Sequence, residues 1–455
     1  MNATPSPRSA KRRPLLITIA ALAIIALVAL FFTVGPGPMA FSKGRKVDLA
    51  DYHVANPSGV PATLAQASSI KKGEYLAKAA DCLVCHTAKG GEAYAGGFAF
   101  VLPFGTLYST NITPDKTTGI GNYTDAQFLA AVHRGVRPDG TNLYPAMPYT
   151  SYTYMTDADA LAIKAYLFSL APIDSPNKPN VLAFPFNQRW AMGVWSALFN
   201  ANERFKPDAE KSAEWNRGAY VAEALAHCGE CHTPRNLAFA LNNRKKFGGA
   251  LTAGWRAYNI SSDKESGVGA WHDEELTAYL VTGHAAGHGS AAGPMGEAVD
   301  ESFSQLAPED VQAIVAYLRS VPSSVSSDLP GTLAPAAPDS YKEGRATAES
   351  RGRKVYEGAC ASCHGWSGIS DISGYATLTG ARAVNDPHGT NVAQIVLAGM
   401  KRSSPAGVTE MPAFGAAYSD SDIAAVANYV TTRFGSSASN LSAAEIAKMR
   451  RETAQ

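Results

Sequence analysis

Apolar residues first occur along the chain as one unbroken run, and only later at helical spacing. Leu15 to Val34 is a stretch of 20 residues without a charge. As a helix it would span about 30 Å, which is the thickness of a bilayer core. The residues before it, 1–14, are rich in Lys and Arg, and such clusters stay on the cytoplasmic side. The pattern predicts a single transmembrane anchor at 15–34, with the remainder of the chain exported.

A cleaved signal peptide is the alternative for this segment. The apolar core of a signal peptide is typically about 7–15 residues long, which is shorter than the run found here. Cleavage after Ala40 would place Pro38 three residues before the cut, a poor fit to the small-residue preference. We therefore favour an uncleaved anchor, and both interpretations export the rest of the chain.

Beyond residue 65, the apolar spacing favours amphipathic helices, and alternating strand patterns are scarce. Candidate helices begin at or near an Asp, Ser or Thr cap. They cover Asp125 to His133, Asp159 to Leu170, Asp273 to Val281, Pro308 to Arg319 and Asp420 to Phe434. The pattern predicts an all-α fold of three small domains at 66–171, 209–322 and 343–436, with linkers at 172–208 and 323–342 and a helical tail at 437–455.

Charge and composition remove some functional classes. The chain has 455 residues with 40 basic and 39 acidic side chains, and a nucleic-acid binder would normally carry a basic surplus. Hydrophobic residues make up 46% of the chain, which is ample for packed cores. Six cysteines in a chain of this length are too few for a disulfide scaffold.

All six cysteines fall into three copies of one motif, C-x-x-C-H, the attachment signature of c-type haem. Two thiols about one helical turn apart can each add to a haem vinyl group, and the adjacent His then faces the iron. The copies are Cys82-Leu-Val-Cys85-His86, Cys228-Gly-Glu-Cys231-His232 and Cys360-Ala-Ser-Cys363-His364. A C-x-x-C pair could also be a redox dithiol or half of a zinc site. Three copies that use every cysteine favour three covalent haem c groups.

The first two haem units also repeat each other at a constant offset of 148 residues. Asn111-Ile112 aligns with Asn259-Ile260, and Asp125 aligns with Asp273. Self-similarity of this kind indicates a duplicated domain.

The same offset identifies candidates for the second axial iron ligand, which is often Met. Met147 aligns with Met295, and Met411 in Glu410-Met411-Pro412 echoes Met147-Pro148. These methionines follow their proximal histidines by 47–63 residues, in segments that we expect to be loops. The predicted iron ligands are therefore His86 with Met147, His232 with Met295, and His364 with Met411.

Other side chains could compete for these positions. Met400 is the alternative to Met411 in the third unit. Histidines at 133, 284 and 288 would give bis-His ligation, but none has a counterpart at the same register in another unit, so we expect them at the surface or beside haem propionates. We interpret the remaining candidates as core filler; they are Met155, Met192 and Met449.

The first linker is unusually aromatic, with five Phe and Trp residues between Phe184 and Phe199. Packing between the first two domains is the simpler explanation. Contact with a partner subunit, a membrane face or a quinone is the functional alternative.

With these motifs in order, the chain resembles the tri-haem cytochrome c subunits of membrane-bound bacterial dehydrogenases. The resemblance covers about 66–436. It is carried by the strings Tyr108-Ser-Thr-Asn-Ile-Thr-Pro-Asp115, Tyr144-Pro-Ala-Met-Pro-Tyr149 and His227-Cys-Gly-Glu-Cys-His-Thr-Pro-Arg235. Many members carry a cleaved signal, whereas this chain is predicted to keep its anchor.

The resemblance implies three class-I-like cytochrome c domains. It also implies a catalytic dehydrogenase partner of the PQQ, flavin or molybdenum type, and in some cases a small accessory subunit. Electrons would pass one at a time through the haems to ubiquinone. The chain would lie in the bacterial inner membrane with its haem domains in the periplasm, without oxidising the primary substrate itself.

Three other functions are open from the sequence. A cytochrome c subunit of a terminal oxidase would also combine an anchor with C-x-x-C-H domains. A haem enzyme would need one open iron, which means that Met147, Met295 or Met411 would not bind. A pure binding protein would have no use for three irons. We find no Walker loop, Gly-x-Ser-x-Gly or HExxH motif that would supply other chemistry.

Overall fold

A computed structural model describes residues 12–41, 57–325, 350–404 and 407–453 of the chain. We call the segments 66–171, 209–322 and 343–436 the first, second and third units. The first element, helix α1, spans Arg12–Val34. Within it, the described side chains are those at 17–26, 28–29 and 33–34.

The prediction of a membrane-spanning anchor is wrong. Among the described residues, no helix combines the length and the apolar character that crossing a bilayer requires. The predicted single-pass location in the inner membrane is overturned with it.

The first unit and its linker contain six helices and three strands. They are α2 (Ser69–Ala79), α3 (Cys82–Cys85), β1 (Ala99–Leu102), β2 (Gly105–Tyr108), α4 (Asp125–Arg134), α5 (Tyr149–Tyr152), α6 (Asp157–Leu167), β3 (Val181–Leu182) and α7 (Ala191–Phe199).

The second unit repeats this order of haem motif, hairpin and closing helices. Its elements are α8 (Ala213–Ala219), α9 (Gly229–His232), β4 (Ala250–Thr252), β5 (Trp255–Ala257), α10 (Asp273–Thr282), β6 (His284–Ala285), β7 (Gly289–Ser290), α11 (Gly293–Glu301) and α12 (Pro308–Ser320).

The third unit is followed by a tail helix. The elements are α13 (Ser350–Ala359), α14 (Ala361–His364), α15 (Arg382–Asn385), α16 (Thr390–Ala398), β8 (Met400–Ser404), β9 (Gly407–Met411), α17 (Asp420–Phe434) and α18 (Ala443–Thr453).

The five helices predicted from periodicity are confirmed as α4, α6, α10, α12 and α17. The starts of α4, α6 and α17 follow from capping, in which a side chain accepts one of the backbone N–H groups that the first turn leaves unpaired. The Thr124 hydroxyl accepts from the backbone of Gln127, whose side chain bonds back to Thr124, and Ser419 does the same with Asp422.

An all-α fold, however, is wrong, because the described residues also contain antiparallel sheets. A three-stranded sheet has the order β1–β2–β3, and three hairpins pair β4 with β5, β6 with β7 and β8 with β9. Most of these strands have two to four residues, too few for alternation to be visible in the sequence. The β4–β5 turn is made by Ala253 and Gly254, both at positive φ, as a two-residue hairpin turn requires.

One local irregularity precedes the second haem motif. Helix α8 continues as a π-helical turn at Tyr220–Leu225. From Gly218 to Cys228 the chain advances ten positions, whereas from Gly73 to Cys82 it advances nine. The wider turn absorbs the extra residue, as π-bulges commonly do.

The first two units share one hydrophobic core, and the third has its own. Two reciprocal hydrogen bonds join the first pair. The hydroxyl of Tyr75 in the first unit donates to Asp310 in the second, at 2.5 Å, and the hydroxyl of Tyr220 in the second donates to Asp159 in the first. Each Tyr lies two residues after a glycine at which its helix crosses the last helix of its own unit, Gly73 against α6 and Gly218 against α12. We call α6, α12 and α17 the closing helices of the three units, and Asp159 and Asp310 are the third residues of α6 and α12. These two units are therefore related by an approximate twofold arrangement.

Candidate haem-binding sites

In every unit, the helix before the haem motif crosses the closing helix of that unit at a glycine. A Cβ atom at these glycines would lie 1.8 to 2.2 Å from a backbone oxygen of the closing helix. The pairs are Gly73 with Ala162, Gly218 with Ala313 and Gly352 with Ala425. Since no side chain fits at that distance, the glycine allows the two helices to touch. The crossing fixes where the following Cys-x-x-Cys-His turn begins.

The histidine of each motif is oriented by a backbone carbonyl. The Nδ1 atom of His86 lies 2.7 Å from the carbonyl oxygen of Thr110. The same ring atom lies 2.6 Å from Tyr258 in the case of His232, and 2.6 Å from Ala376 in the case of His364. A histidine whose Nδ1–H donates to a carbonyl presents Nε2 as its free lone pair, the arrangement that iron-ligating histidines use.

Burial also keeps these imidazoles neutral. It lowers the pKa of His232 to about 4 and the pKa of His86 and His364 below the usual value. In each case burial is the largest cause, and it outweighs the opposing hydrogen bond to the carbonyl. A neutral imidazole can bind a metal, whereas an imidazolium cannot.

Burial acts in the opposite direction on the cysteines. It raises the pKa of Cys82 and Cys228 to about 12, and of Cys231 and Cys360 to about 11. Reactive dithiols need a lowered pKa, because the thiolate is the nucleophile. These environments therefore favour a covalently occupied Cys-x-x-Cys over a redox dithiol.

The predicted ligands of the first unit meet in one cavity of about 420 Å³, which is the size of sites that hold a drug-sized ligand. Its lining includes Cys82, Cys85, His86 and Met147, together with apolar side chains such as Phe128. Two thiols, an imidazole and a thioether around a mostly apolar cavity are the donor set that a covalent haem requires.

The methionines of the other units lie on different elements. Met295 lies in the first turn of α11 rather than in a loop, and it packs against the core shared by the first two units. Met411 ends β9 and pairs directly with Met400 on β8. Because directly opposed residues of antiparallel strands share one face, both methionines of the third unit face the same side of the hairpin.

The rival histidines have other surroundings. His133 is completely buried, so the expectation of a surface position was wrong for it; neither ring nitrogen has a hydrogen-bond partner. His284 stacks on Tyr375 with ring centroids 4.4 Å apart, and His288 stacks on Trp271 at 3.7 Å.

Sequence reasoning missed the part that the linker plays in the first site. Arg189 and Tyr144 line the cavity side by side, with the guanidinium 5.0 Å from the ring centroid. The linker residues at 177–180 line the same cavity. Their register could not be read from sequence, because the linker folds back over the first unit from more than 30 positions away.

The aromatic segment of the linker also bridges the first two units, as the simpler explanation held. Phe186 stacks on Phe104 at 4.0 Å and meets Phe239 of the second unit edge-on. Its outer face stays exposed at Phe184 and Trp190, which are 79% and 71% accessible. Packing therefore accounts for only part of the segment.

Two family models match the chain. The model described as cytochrome c covers residues 70–171, and the model described as cytochrome c oxidase, cbb3-type, subunit III covers residues 347–430.

Named relatives match most of the length. The fructose dehydrogenase cytochrome subunit of Gluconobacter japonicus is 40% identical, over 87% of this chain and 85% of its own. The gluconate 2-dehydrogenase cytochrome c subunit of Pantoea cypripedii is 37% identical over 84% and 90%. The cytochrome c subunit of the quinone alcohol dehydrogenase of Gluconacetobacter polyoxogenes is 34% identical over 85% of both chains.

Proposed function

The chain belongs to the family of dehydrogenase cytochrome c subunits, and from this premise we propose that it relays electrons through three covalent haem c groups from a catalytic dehydrogenase subunit to ubiquinone. The coarser part, an electron-transfer cytochrome c subunit with a dehydrogenase partner, follows from the relatives. The count of three haems, their ligands and ubiquinone as acceptor are the proposal.

In this proposal each of the three units forms a separate haem domain with the boundaries 66–171, 209–322 and 343–436. The covalent attachments are Cys82, Cys85, Cys228, Cys231, Cys360 and Cys363. The axial pairs are His86 with Met147, His232 with Met295, and His364 with Met411.

The observation that carries the proposal is the threefold recurrence of one geometry. In each unit a glycine crossing leads into the Cys-x-x-Cys-His turn, and a backbone carbonyl then accepts from Nδ1 of the histidine within 2.7 Å. A redox dithiol or a structural thiol pair has no use for a histidine held in this way. Haem, when bound, would supply one-electron exchange at its iron, which the His and the Met of each unit would hold.

The packing of the units supports a linear relay with the second unit in the middle. The first unit meets the second beside its attachment motif, because the ring of Tyr152 packs edge-on against His227, the residue before Cys228, at 5.5 Å. The hairpin that carries Met400 and Met411 joins the third unit to the second, because Arg402 on β8 donates to the carbonyl of Gly296 at 3.0 Å. Electrons would therefore move between the outer units by way of the second.

The relatives named for fructose, gluconate and alcohol dehydrogenases suggest a sugar, sugar acid or alcohol as the substrate of the partner. The catalytic cofactor of that partner could be PQQ, flavin or molybdenum, and a small accessory subunit would be compatible with the family. The chain itself should bind no primary substrate.

Haem content is the first test. Intact mass and pyridine haemochrome analysis should give three haems per chain, and replacing both cysteines of any one motif by alanine should reduce the ratio to two. A ratio of two haems per chain in the unaltered protein would refute the proposed count of three.

The relay is tested on the complex purified by a tag at Gln455. We expect a dehydrogenase to co-purify, its substrate to reduce the haem bands, and ubiquinone to reoxidise them. Haems that stay oxidised with the substrate of the co-purified subunit would refute the relay.

A terminal-oxidase subunit is the second candidate, because the third unit matches the cbb3-type model. Co-purification of oxidase subunits in place of a dehydrogenase would decide for it. Carbon monoxide binding by the reduced chain would instead indicate one open iron.

A further inference from the structure

One tyrosine of the second unit connects its haem motif to the third unit. The carbonyl oxygen of Tyr258 accepts from Nδ1 of His232 at 2.6 Å, while the side chain of Tyr258 contacts residues of the third unit. The carbonyls that orient the other two histidines belong to Thr110, which lies 148 positions earlier in the first unit, and to Ala376 in the third. Of these three residues, Tyr258 alone carries a ring.

The third unit contacts the Tyr258 side chain at two points. The guanidinium of Arg382, on α15, lies over the ring with Cζ 5.0 Å from the centroid, a distance at which a cation is attracted to an aromatic face. The hydroxyl of Tyr258 donates to Asp386, directly after α15, at 3.3 Å. The third unit therefore contacts both the face and the tip of the residue whose carbonyl orients His232.

Both of these third-unit side chains are fixed by further contacts with the second unit. Arg382 also donates to the backbone carbonyls of Ser266 and Gly267. The carboxylate of Asp386 is completely buried, and it lies 3.3 Å from Nε of Arg256. Buried charges are held by such partners because an unpaired buried charge is costly. A cation and an anion of fixed position thus lie against one tyrosine.

We propose that Arg382 and Asp386 of the third unit position Tyr258, and through it His232, and that their charges tune the reduction potential of the haem in the second unit. The inference rests on the proposed function, since it requires a haem at the second motif. It adds that this site is incomplete without the third unit. Partners of a ligating histidine orient the ring and tune the metal, and here the partner residue is itself held by another unit.

The two charges should act on the potential in opposite directions. Reduction adds one electron to the site, so a nearby cation favours the reduced form and a nearby anion favours the oxidised form. Burial lowers the pKa of His232 to about 4, and the positive charge of Arg382 contributes in the same direction. Removing the charge of Arg382 should therefore lower the potential of the second unit, and neutralising Asp386 should raise it.

A redox titration of the full chain with its haems measures these shifts. The potential that is missing when Cys228 and Cys231 are both replaced by alanine identifies the haem of the second unit. Arg382→Met should lower the equilibrium constant for reduction of this haem about tenfold, which is about 59 mV for one electron. Asp386→Asn should raise the same constant. Arg351→Met, which removes an exposed arginine of the same unit, is the matched control and should leave the potential unchanged.

Positioning through Tyr258 has a separate readout. Tyr258→Thr gives the second unit the residue of the first, so the orienting carbonyl stays while both contacts with the third unit are lost. Tyr258→Phe keeps the ring under Arg382 and loses the hydrogen bond to Asp386. The electron paramagnetic resonance signal of the oxidised second haem reports the orientation of its axial histidine. We expect this signal to shift for Tyr258→Thr and to shift less for Tyr258→Phe.

Shifts of the same sign for Arg382→Met and Asp386→Asn would overturn the electrostatic part, and an unaltered resonance signal in Tyr258→Thr would overturn the positioning part. Arg382→Lys keeps the charge and should retain most of the potential; a loss as large as that of Arg382→Met would also oppose the proposal. Three haems per chain show that a variant is folded. Failure of the proposed function looks different, since the unaltered chain would then lack a haem at the second motif or stay oxidised with the substrate of the co-purified subunit.

Discussion

Replacing Arg217 by Met should destabilise the second unit by about 3–5 kcal/mol, because it leaves the buried carboxylate of Asp310 without its positively charged partner and with only the Tyr75 hydroxyl still donating to it. Arg217 precedes the crossing glycine of the second unit, and it binds Asp310 through two nitrogens, at 2.7 and 2.6 Å. Both side chains are fully buried. The same guanidinium donates to the carbonyls of Pro57 and Gly59, at 3.0 Å each, so those acceptors are also left unpaired.

The third unit provides the matched control. Arg351 also precedes a crossing glycine, and Asp422 is also the third residue of a closing helix; they lie 2.6 Å apart. There, however, the arginine is 59% exposed. Since water screens such pairs, Arg351→Met should cost less than about 1 kcal/mol.

Hydrogen exchange read by mass spectrometry can separate the two effects in one chain. Peptides from α8 and α12 report the opening free energy of the buried pair, and peptides from α13 and α17 report that of the exposed pair. Equal decreases in opening free energy at the two sites would refute the reasoning, and so would a decrease below about 1 kcal/mol for Arg217→Met.

Three further predictions rest on single contacts. Gly352→Ala should lower the free energy of unfolding by about 1–3 kcal/mol, since the added Cβ would lie 2.2 Å from a backbone oxygen. Gly358→Ala in the same helix meets open space and should raise it by about 0.5–1 kcal/mol. Urea unfolding that ranks the two variants the other way would contradict this prediction. Burial, reinforced by Arg204, lowers the pKa of His133 to about 4. The unfolded chain therefore binds more protons than the folded chain between pH 4 and 6.5, and the free energy of unfolding should fall by about 2 kcal/mol from pH 7.5 to 5. The His133→Gln variant should lose this pH dependence. A urea midpoint that shifts with pH as much in His133→Gln as in the unaltered chain would contradict the prediction. On the proposal that Met295 binds the iron of the second unit, Arg402→Met should weaken the methionine–iron charge-transfer band of that unit in the oxidised spectrum, because Arg402 holds the carbonyl of Gly296, the residue after Met295. An unaltered band would show that the contact does not position Met295.

The local features of the fold were predictable because the sequence encodes them over short distances. Attachment of one haem fixes Cys, Cys and His within five positions, and capping residues mark the helix starts. The spacing from Gly218 to Cys228 even contained the signal of the π-helical turn, since it exceeds the first unit's spacing by one residue. An inserted residue has to be absorbed before the second motif, and a wider helical turn does so without moving the cysteines.

The missed features depend on contacts between distant segments. Most of the strands have only two to four residues and none has more than five, too few to show alternation, so the hairpins escaped detection. The choice between Met400 and Met411 was open in the sequence, and the two are cross-strand neighbours on one face of the β8–β9 hairpin. The surroundings of His133 include the linker, because the side chain of Asn200 donates to the carbonyl of His133 from 67 positions away.

One position explains which units pair with each other. The residue two places after the crossing glycine is Tyr75 in the first unit and Tyr220 in the second, and each hydroxyl reaches an Asp of the other unit. The third unit has Lys354 there. A lysine cannot replace a tyrosine in a buried contact of this kind, because its charge would have to leave water. The charge of Lys354 therefore disfavours a twofold pairing of the third unit through this face.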